Sequence, residues 1–282
     1  MSHTMATVST GSAGHAPPTP FRRARAAFAA EWIKLRSLRS MLVTPLLAMV
    51  VSIGLANLVC FNYVAHWPHF DAARKAAFVP LDTNLNFVII AAIFLGVLGA
   101  LVVTNEYGSG LIRTTLAATP QRGLVLAAKA VLLGLVAFVV SAAICFTAFF
   151  TGQGQLSGGH LPHVSLSDPG VLGHVIGAVC YLTAIGLVGL FGAVLARSAA
   201  AAISAMFVLL FVLPLLTSGL PDDIAKRDIV PYLPANLGGS LYLSHPAHTV
   251  GVASTNVAVL ATAAWVLVLA VAAAFSLRGH DA

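Results

Sequence analysis

Six apolar runs, almost free of charge, govern what this chain can fold into. No Asp, Glu, Lys or Arg occurs between Arg39 and Asp71, or between Asp82 and Glu106. The runs lie at about 41–61, 85–104, 124–151, 170–196, 199–218 and 252–277, with Lys129 near the start of the third. A helix needs about 20 predominantly apolar residues to cross the hydrocarbon layer of a bilayer. Open strand edges would leave backbone groups unpaired in lipid, and the alternation of a membrane barrel does not occur, so each run reads as a helix. Composition agrees: charged residues make up 9% of the chain and apolar residues 59%, against about 25% charged in soluble domains. The expected fold is an all-α integral membrane protein with six transmembrane helices.

The cations set the expected orientation. With six spans, Arg22, Arg23, Arg25, Lys34, Arg36, Arg39, Arg113, Arg122, Lys129, Arg197 and Arg278 fall on one side, and only Arg74, Lys75, Lys226 and Arg227 on the other. Lys and Arg gather on the cytoplasmic side, so both termini are expected in the cytoplasm. Most acids, namely Asp71, Asp82, Asp168, Asp222, Asp223 and Asp228, fall outside. This placement accounts for the net charge of +6 without nucleic acid, for which no block of basic residues interleaved with aromatics exists. The expected location is a bacterial inner membrane, crossed several times.

The connecting segments carry the character of the chain. Residues 1–20 are polar, small and Pro-rich, and read as a disordered tail. No cleavable signal precedes the first run, which reads as a retained signal anchor. Residues 21–40 form a cationic amphipathic helix on a helical projection, with Phe21, Phe28, Trp32 and Leu35 sharing a face, as suits the headgroup plane. Residues 105–123 begin with a turn at Gly108 and Gly110, continue as a short helix over Leu111 to Ala118, and stop at Pro120 and Gly123. Arg197-Ser198 alone separates the fourth and fifth runs, which predicts a tight hairpin. Residues 219–251 are too apolar for a solvated loop and too broken to span. They read as short re-entrant or interfacial helices capping the outer side. No internal repeat is visible, so the chain reads as half of a symmetric pore.

Four motifs in order resemble the permease subunits of type-2 ABC exporters, the actinobacterial ones above all. They are Ala30-Glu31-Trp32-x-Lys34-Leu35-Arg36-Ser37-x-Arg39-Ser40, then Glu106-Tyr107-x-x-Gly110-x-Ile112-Arg113-Thr114-Thr115-Leu116 with Pro120-x-Arg122, then Leu195-Ala196-Arg197-Ser198, then Pro231-x-Leu233-Pro234. The resemblance covers the chain from about Phe21 onward. It implies a permease that pairs with a second copy of itself and with a separate ATPase subunit holding ATP and Mg. Its helix after the second span would be a coupling helix seated in the ATPase, which places Glu106, Tyr107, Gly110, Ile112, Arg113, Thr114 and Thr115 at or near that contact. Glu31, Trp32, Lys34 and Arg36 would belong to the interface helix. The expected cargo is an apolar or amphiphilic drug, lipid-like molecule or peptide, moved out of the cytoplasm.

The chain has no G-x-x-x-x-G-K-[ST] loop to cradle phosphates, so it is expected to be a transport subunit and not itself an enzyme or a cofactor binder. Mid-membrane carboxylates, which proton- or sodium-coupled transporters use, do not occur in the runs. A second expectation comes from His66 and His69, His160 and His163, and His245 and His248, one pair in each outer loop. Imidazoles three apart can converge on zinc or copper, which would make the chain a metal-binding membrane scaffold or sensor. Cys60, Cys145 and Cys180 lie in apolar runs and read as small core residues, not as a disulfide framework.

Overall fold

The computed structural model describes residues 20–37, 39–108, 122–218, 229–244 and 253–278. Among them every regular element is helical. Helix α1 is Pro20–Ser37, and α2 is Ser40–His66, followed by a 3-10 turn Trp67–His69. Two short helices, α3 (Ala72–Ala76) and α4 (Pro80–Leu85), lead into α5 (Val88–Gly108). Next come α6 (Arg122–Gly158) and α7 (Val171–Ala196). Helices α8 (Ala199–Phe207) and α9 (Leu213–Ser218) are joined by a π-helical turn, Val208–Val212. A 3-10 turn Val230–Tyr232, α10 (Pro234–Tyr242) and α11 (Thr255–Arg278) complete the described chain.

Six stretches are long and apolar enough to cross a bilayer: Ser40–His69, Pro80–Asn105, Gly123–Gly158, Val171–Ala196, Ala199–Thr217 and Thr255–Leu277. The protein is a multi-pass membrane protein. Two boundaries differ most from the sequence expectation. Helix α2 runs past 61 to His66. Helix α6, with 37 residues, is about 55 Å long at 1.5 Å per residue, well beyond a hydrocarbon layer of about 30 Å. Its extra turns carry Gln153, whose partners are described below, and Gln155, whose Nε2 donates to Asn57 Oδ1 at 2.7 Å.

The second and fourth spans form the centre. In the most apolar stretch of α7, 67% of residues are buried within the protein, against 11% in α11. Side chains such as Leu42, Leu46, Val139 and Leu260 stay exposed on the outside of the bundle. Apolar burial gives little drive inside a bilayer, because lipid tails are as apolar as Leu; close backbone approach takes its place. A Cβ at Gly99 would collide with the Gly186 carbonyl, and one at Gly189 with the Gly96 carbonyl. Gly99 and Gly189 therefore let α5 and α7 touch backbone to backbone. Gly96 also receives the Met206 methyl, which brings α8 onto the same crossing.

Pro214 explains the π turn in the fifth span. It has no N–H to offer the Leu210 carbonyl, and its ring would crowd that oxygen. The chain answers by widening one turn, so that the Leu213 N–H donates five residues back to the Val208 carbonyl. The hairpin between α7 and α8 is as tight as the sequence suggests. Arg197 closes α7 in the left-handed region at φ 54°, and Ser198 opens α8 by accepting from the Ala201 N–H at 3.4 Å. Left-handed backbone costs a non-glycine residue about 1–2 kcal/mol. Arg197→Gly is thus expected to melt about 2–4 °C higher in detergent, and Arg197→Val lower, by thermal unfolding of the purified protein.

Polar contacts define two ends of the bundle. At the α1 end, Asn105 Nδ2 donates to Ser40 Oγ at 3.3 Å, and Arg197 to Ser276 Oγ at 3.4 Å. At the far end, Asn84 Nδ2 donates to the Ala148 carbonyl at 3.0 Å, and Gln153 Nε2 to the Pro80 carbonyl at 3.1 Å. The segment expected to cap the bundle contributes the turn at Val230–Tyr232 and helix α10, which pack on α7 and α11 between mid-span and this far end. Its anchors are the Asp82 carboxylate, which accepts from Ser244 N and Oγ at 2.7 Å each, and the Tyr232 carbonyl, which accepts from Trp265 Nε1 at 2.9 Å. A Cβ at Gly177 would strike the Leu241 carbonyl, so α10 sits directly on α7. The remainder of 219–251 lies outside the described residues.

Candidate functional site

Helix α1 is helical by local preference. It is rich in Ala, opens with Pro20 at its first position, and carries Lys34 and Arg36 in its last turn, where cations favour the helix dipole. One turn apart on it, Glu31 and Leu35 are 2% and 5% exposed; these residues face α6 rather than lipid. Trp32, Ile33 and Phe28 remain exposed beside them, as do Arg22, Arg25 and Arg36. The aromatic face expected to lie in the headgroups is thus divided: Leu35 packs inward, while Phe28 and Trp32 stay on the outside. The side chain of Phe21 lies outside those described.

The inward face is held by charge. Lys129, in the second turn of α6, is 5% exposed. Its Nζ donates to Glu31 Oε2 at 2.6 Å, while Lys34 Nζ, one turn along α1, donates to Glu31 Oε1 at 2.9 Å. Both carboxylate oxygens are therefore used. Lys34 is the more solvated partner, with 29% of its side chain exposed. A lone ammonium at this depth would cost several kcal/mol in lost hydration, so Lys129 requires an anion, and Glu31 supplies it. The result is a buried clasp that joins α1 to the base of the third span.

Among the residues expected at a partner interface, the structure takes Glu31 into the clasp and leaves Trp32 and Arg36 exposed on the other sides of α1. Glu106 and Tyr107 lie in the last turn of α5, next to Asn105 and therefore at the α1 end; their side chains lie outside those described. Gly110, Ile112, Arg113, Thr114 and Thr115 also lie outside the described residues, as do the limits of the helix expected over Leu111 to Ala118. Both flanks of that segment, α5 and α6, are fixed at the α1 end by the Asn105–Ser40 and Lys129–Glu31 contacts.

The histidines behave otherwise. His66, His69, His160 and His163 are exposed. His66 Nδ1 donates to the Asn62 carbonyl at 3.0 Å, and His163 Nδ1 to the Leu161 carbonyl at 3.1 Å, which occupies one ring nitrogen of each. Among the described residues no three His, Cys, Asp or Glu side chains converge on a point where a metal ion could sit. His245 and His248 lie outside the described residues.

No known protein family, curated protein or solved structure matches this chain. Its functional reading rests on its own residues. The sequence marks both Glu31 and Lys129 but does not join them. The signal was available: Glu31 is the only acid before Asp71, and Lys129 the only cation within an apolar run. A charge that must be buried needs a partner, and few acids fall on its side of the membrane.

Proposed function

We propose that this chain is the transmembrane, or permease, subunit of an ATP-driven ABC exporter. It sits in a bacterial cell membrane with the α1 end in the cytoplasm, pairs with a second copy of itself, and works with a separate ATPase subunit that holds ATP and Mg. Its cargo is an apolar or amphiphilic molecule carried outward.

The observation that carries this reading is the buried Glu31–Lys129 pair at 2.6 Å. Closure of an ATPase dimer delivers a push at the cytoplasmic side, and a permease needs rigid parts there to pass the push into the spans. Separating α1 from α6 would strand a buried charge, so the two helices move as one body. Helix α5 ends and α6 begins at that same end, and residues 109–121, which carry Arg113, join them in the sequence. An ATPase seated there meets the coupling segment together with the exposed Trp32 and Arg36 of α1. A pathway for apolar cargo also fits spans whose described interior holds one ammonium, already neutralised, and no free carboxylate.

Arg113→Glu, or a Gly-Gly insertion at Leu111, is expected to abolish export and retention of the ATPase on purification. Membrane level and melting temperature should stay at the parental values. Export at the parental rate by either variant, present at the parental level, counts against the coupling assignment.

A further inference from the structure

Beyond Phe61, the last residue of the first apolar run, α2 continues to His66 and changes character. Tyr63 stands on this extension, Trp67 opens the turn that follows, Phe70 closes it, and Phe78 comes just after α3. The four rings pack on one another. Between centroids, Phe78 lies 4.9 Å from Tyr63 and 5.1 Å from Trp67, and Phe70 lies 5.5 and 6.1 Å from the same two. Tyr63, Trp67 and Phe78 rest on the buried Cys60 and Leu156, yet all four rings stay half-buried.

Two cations lie against this cluster. The Arg74 guanidinium stands 4.1 Å from the centre of the Phe70 ring, and the Lys75 ammonium 5.8 Å from that of Trp67. Both belong to α3, which Asp71 starts by accepting from the Arg74 N–H at 2.7 Å. Asp71 is the single acid of this segment, so residues 71–75 carry one net positive charge. Neither cation is paired with a carboxylate among the described residues. A ring face attracts a cation through its quadrupole but does not satisfy its several N–H donors; these need oxygen acceptors from outside the cluster. The height of the cluster names them. Residues 41–61 give about 30 Å of helix at 1.5 Å per residue, the thickness of the hydrocarbon layer. Tyr63 and Trp67 follow at most about 3 and 9 Å further along the axis, and the polar layer on each side of a bilayer is about 5–8 Å deep. The rings therefore lie at headgroup level, where Trp and Tyr gather because one side of the ring is apolar and the other wet. The oxygen acceptors at that level are lipid phosphates.

We propose that α3 and this aromatic cluster form a docking surface for anionic phospholipid in the leaflet opposite α1, with Arg74 and Lys75 on the lipid phosphates and the rings at the top of the acyl chains. An anionic lipid suits the surface better than a zwitterionic one, whose own ammonium competes for the phosphate and repels the two cations. The surface lies at the far end of the bundle from the Glu31–Lys129 clasp, and its assignment is independent of the exporter reading.

Quenching of Trp67 fluorescence by brominated lipid tests it, with the purified full-length protein reconstituted in bilayers of phosphatidylcholine and phosphatidylglycerol. The Trp67 signal is the difference between the parent and Trp67→Phe, which keeps a ring in the cluster. Bromine is carried high on the chains of one lipid at a time. Phosphatidylglycerol should be enriched beside Trp67 about five-fold over phosphatidylcholine, the effect of one net positive charge at an anionic membrane surface. Arg74→Gln combined with Lys75→Gln should lower the ratio to one or below, since Asp71 then stands alone. Salt at about 1 M should bring the unaltered protein towards a ratio of one by screening. Absence of Trp67 quenching would place the cluster in water or under a protein partner, and overturns the proposal. Equal quenching by both lipids in the parent overturns it too. A preference lost to inorganic phosphate, but not to chloride at the same ionic strength, would make the site one for a soluble anion and is equally fatal. Should the double variant not reconstitute, the salt series decides.

Discussion

Lys129→Met is expected to destabilise the detergent-solubilised protein by about 3 kcal/mol, and Glu31→Gln combined with Lys129→Met to restore most of that loss. Removing one partner of a buried ion pair costs about 3–5 kcal/mol, chiefly because the other charge is left in a poor dielectric. The lower figure applies to Lys129→Met because Lys34 stays 2.9 Å from Glu31 Oε1 and keeps part of the compensation. Glu31→Gln takes the Glu31 carboxylate from both Lys129 and Lys34. The double variant buries no charge at all, and replacing a buried pair by apolar groups of similar size is often neutral or better. The four melting curves form a double-mutant cycle, and a large favourable coupling is the signature of the clasp. Additive losses would show that the two side chains do not depend on each other. The same four proteins bear on function separately. Restored stability with lost export would mean that transport needs the charge pair itself, and not merely a docked α1.

Gly99→Leu and Gly189→Leu are expected to prevent assembly of the bundle while leaving insertion of the spans intact. Overpacking an interior costs about 1–3 kcal/mol when side chains can shift to relieve it. Here the obstacle at both sites is a backbone carbonyl of the facing helix, Gly186 and Gly96 respectively. A helix carbonyl cannot turn aside without breaking its own hydrogen bond, so α5 and α7 must part along the crossing. The central pair of the bundle is then lost, and with it the surface on which α8 and α10 rest. The expected result is full-length protein in the membrane that extracts as aggregate, without a cooperative melt. Gly54→Ala and Gly192→Ala serve as controls, since a Cβ at either position meets nothing within 4 Å. They should stay within about 1 kcal/mol of the parent, on the stabilising side given the helix propensity of Ala. Parental melting by Gly99→Leu or Gly189→Leu would refute the backbone contact.

The candidate site shows how far local reading goes. Lys129 was visible in the sequence as a cation at the edge of an apolar run, and Glu31 as an acid on a basic helix. Their 98-residue separation gives no local pattern to link them. The same holds for Asp82 and Ser244, separated by 162 positions. Helix α6 illustrates the opposite limit. Its polar extension, with Gln153 and Gln155, has the composition of a loop, and helical backbone wins there because Gln153 gains the Pro80 carbonyl and the Val164 N–H.

The sequence by itself determined the number of spans, their approximate limits and their helical form. These follow from one physical demand: a backbone in hydrocarbon must bond within its own segment, and that demand is met residue by residue. Which helices lie at the centre was decided only in the tertiary structure. Apolar side chains do not distinguish lipid from protein, so a span's hydropathy says nothing about its neighbours. The choice fell to features that matter only when two helices meet, namely glycines that let carbonyls pass and single polar groups that find each other across the bundle.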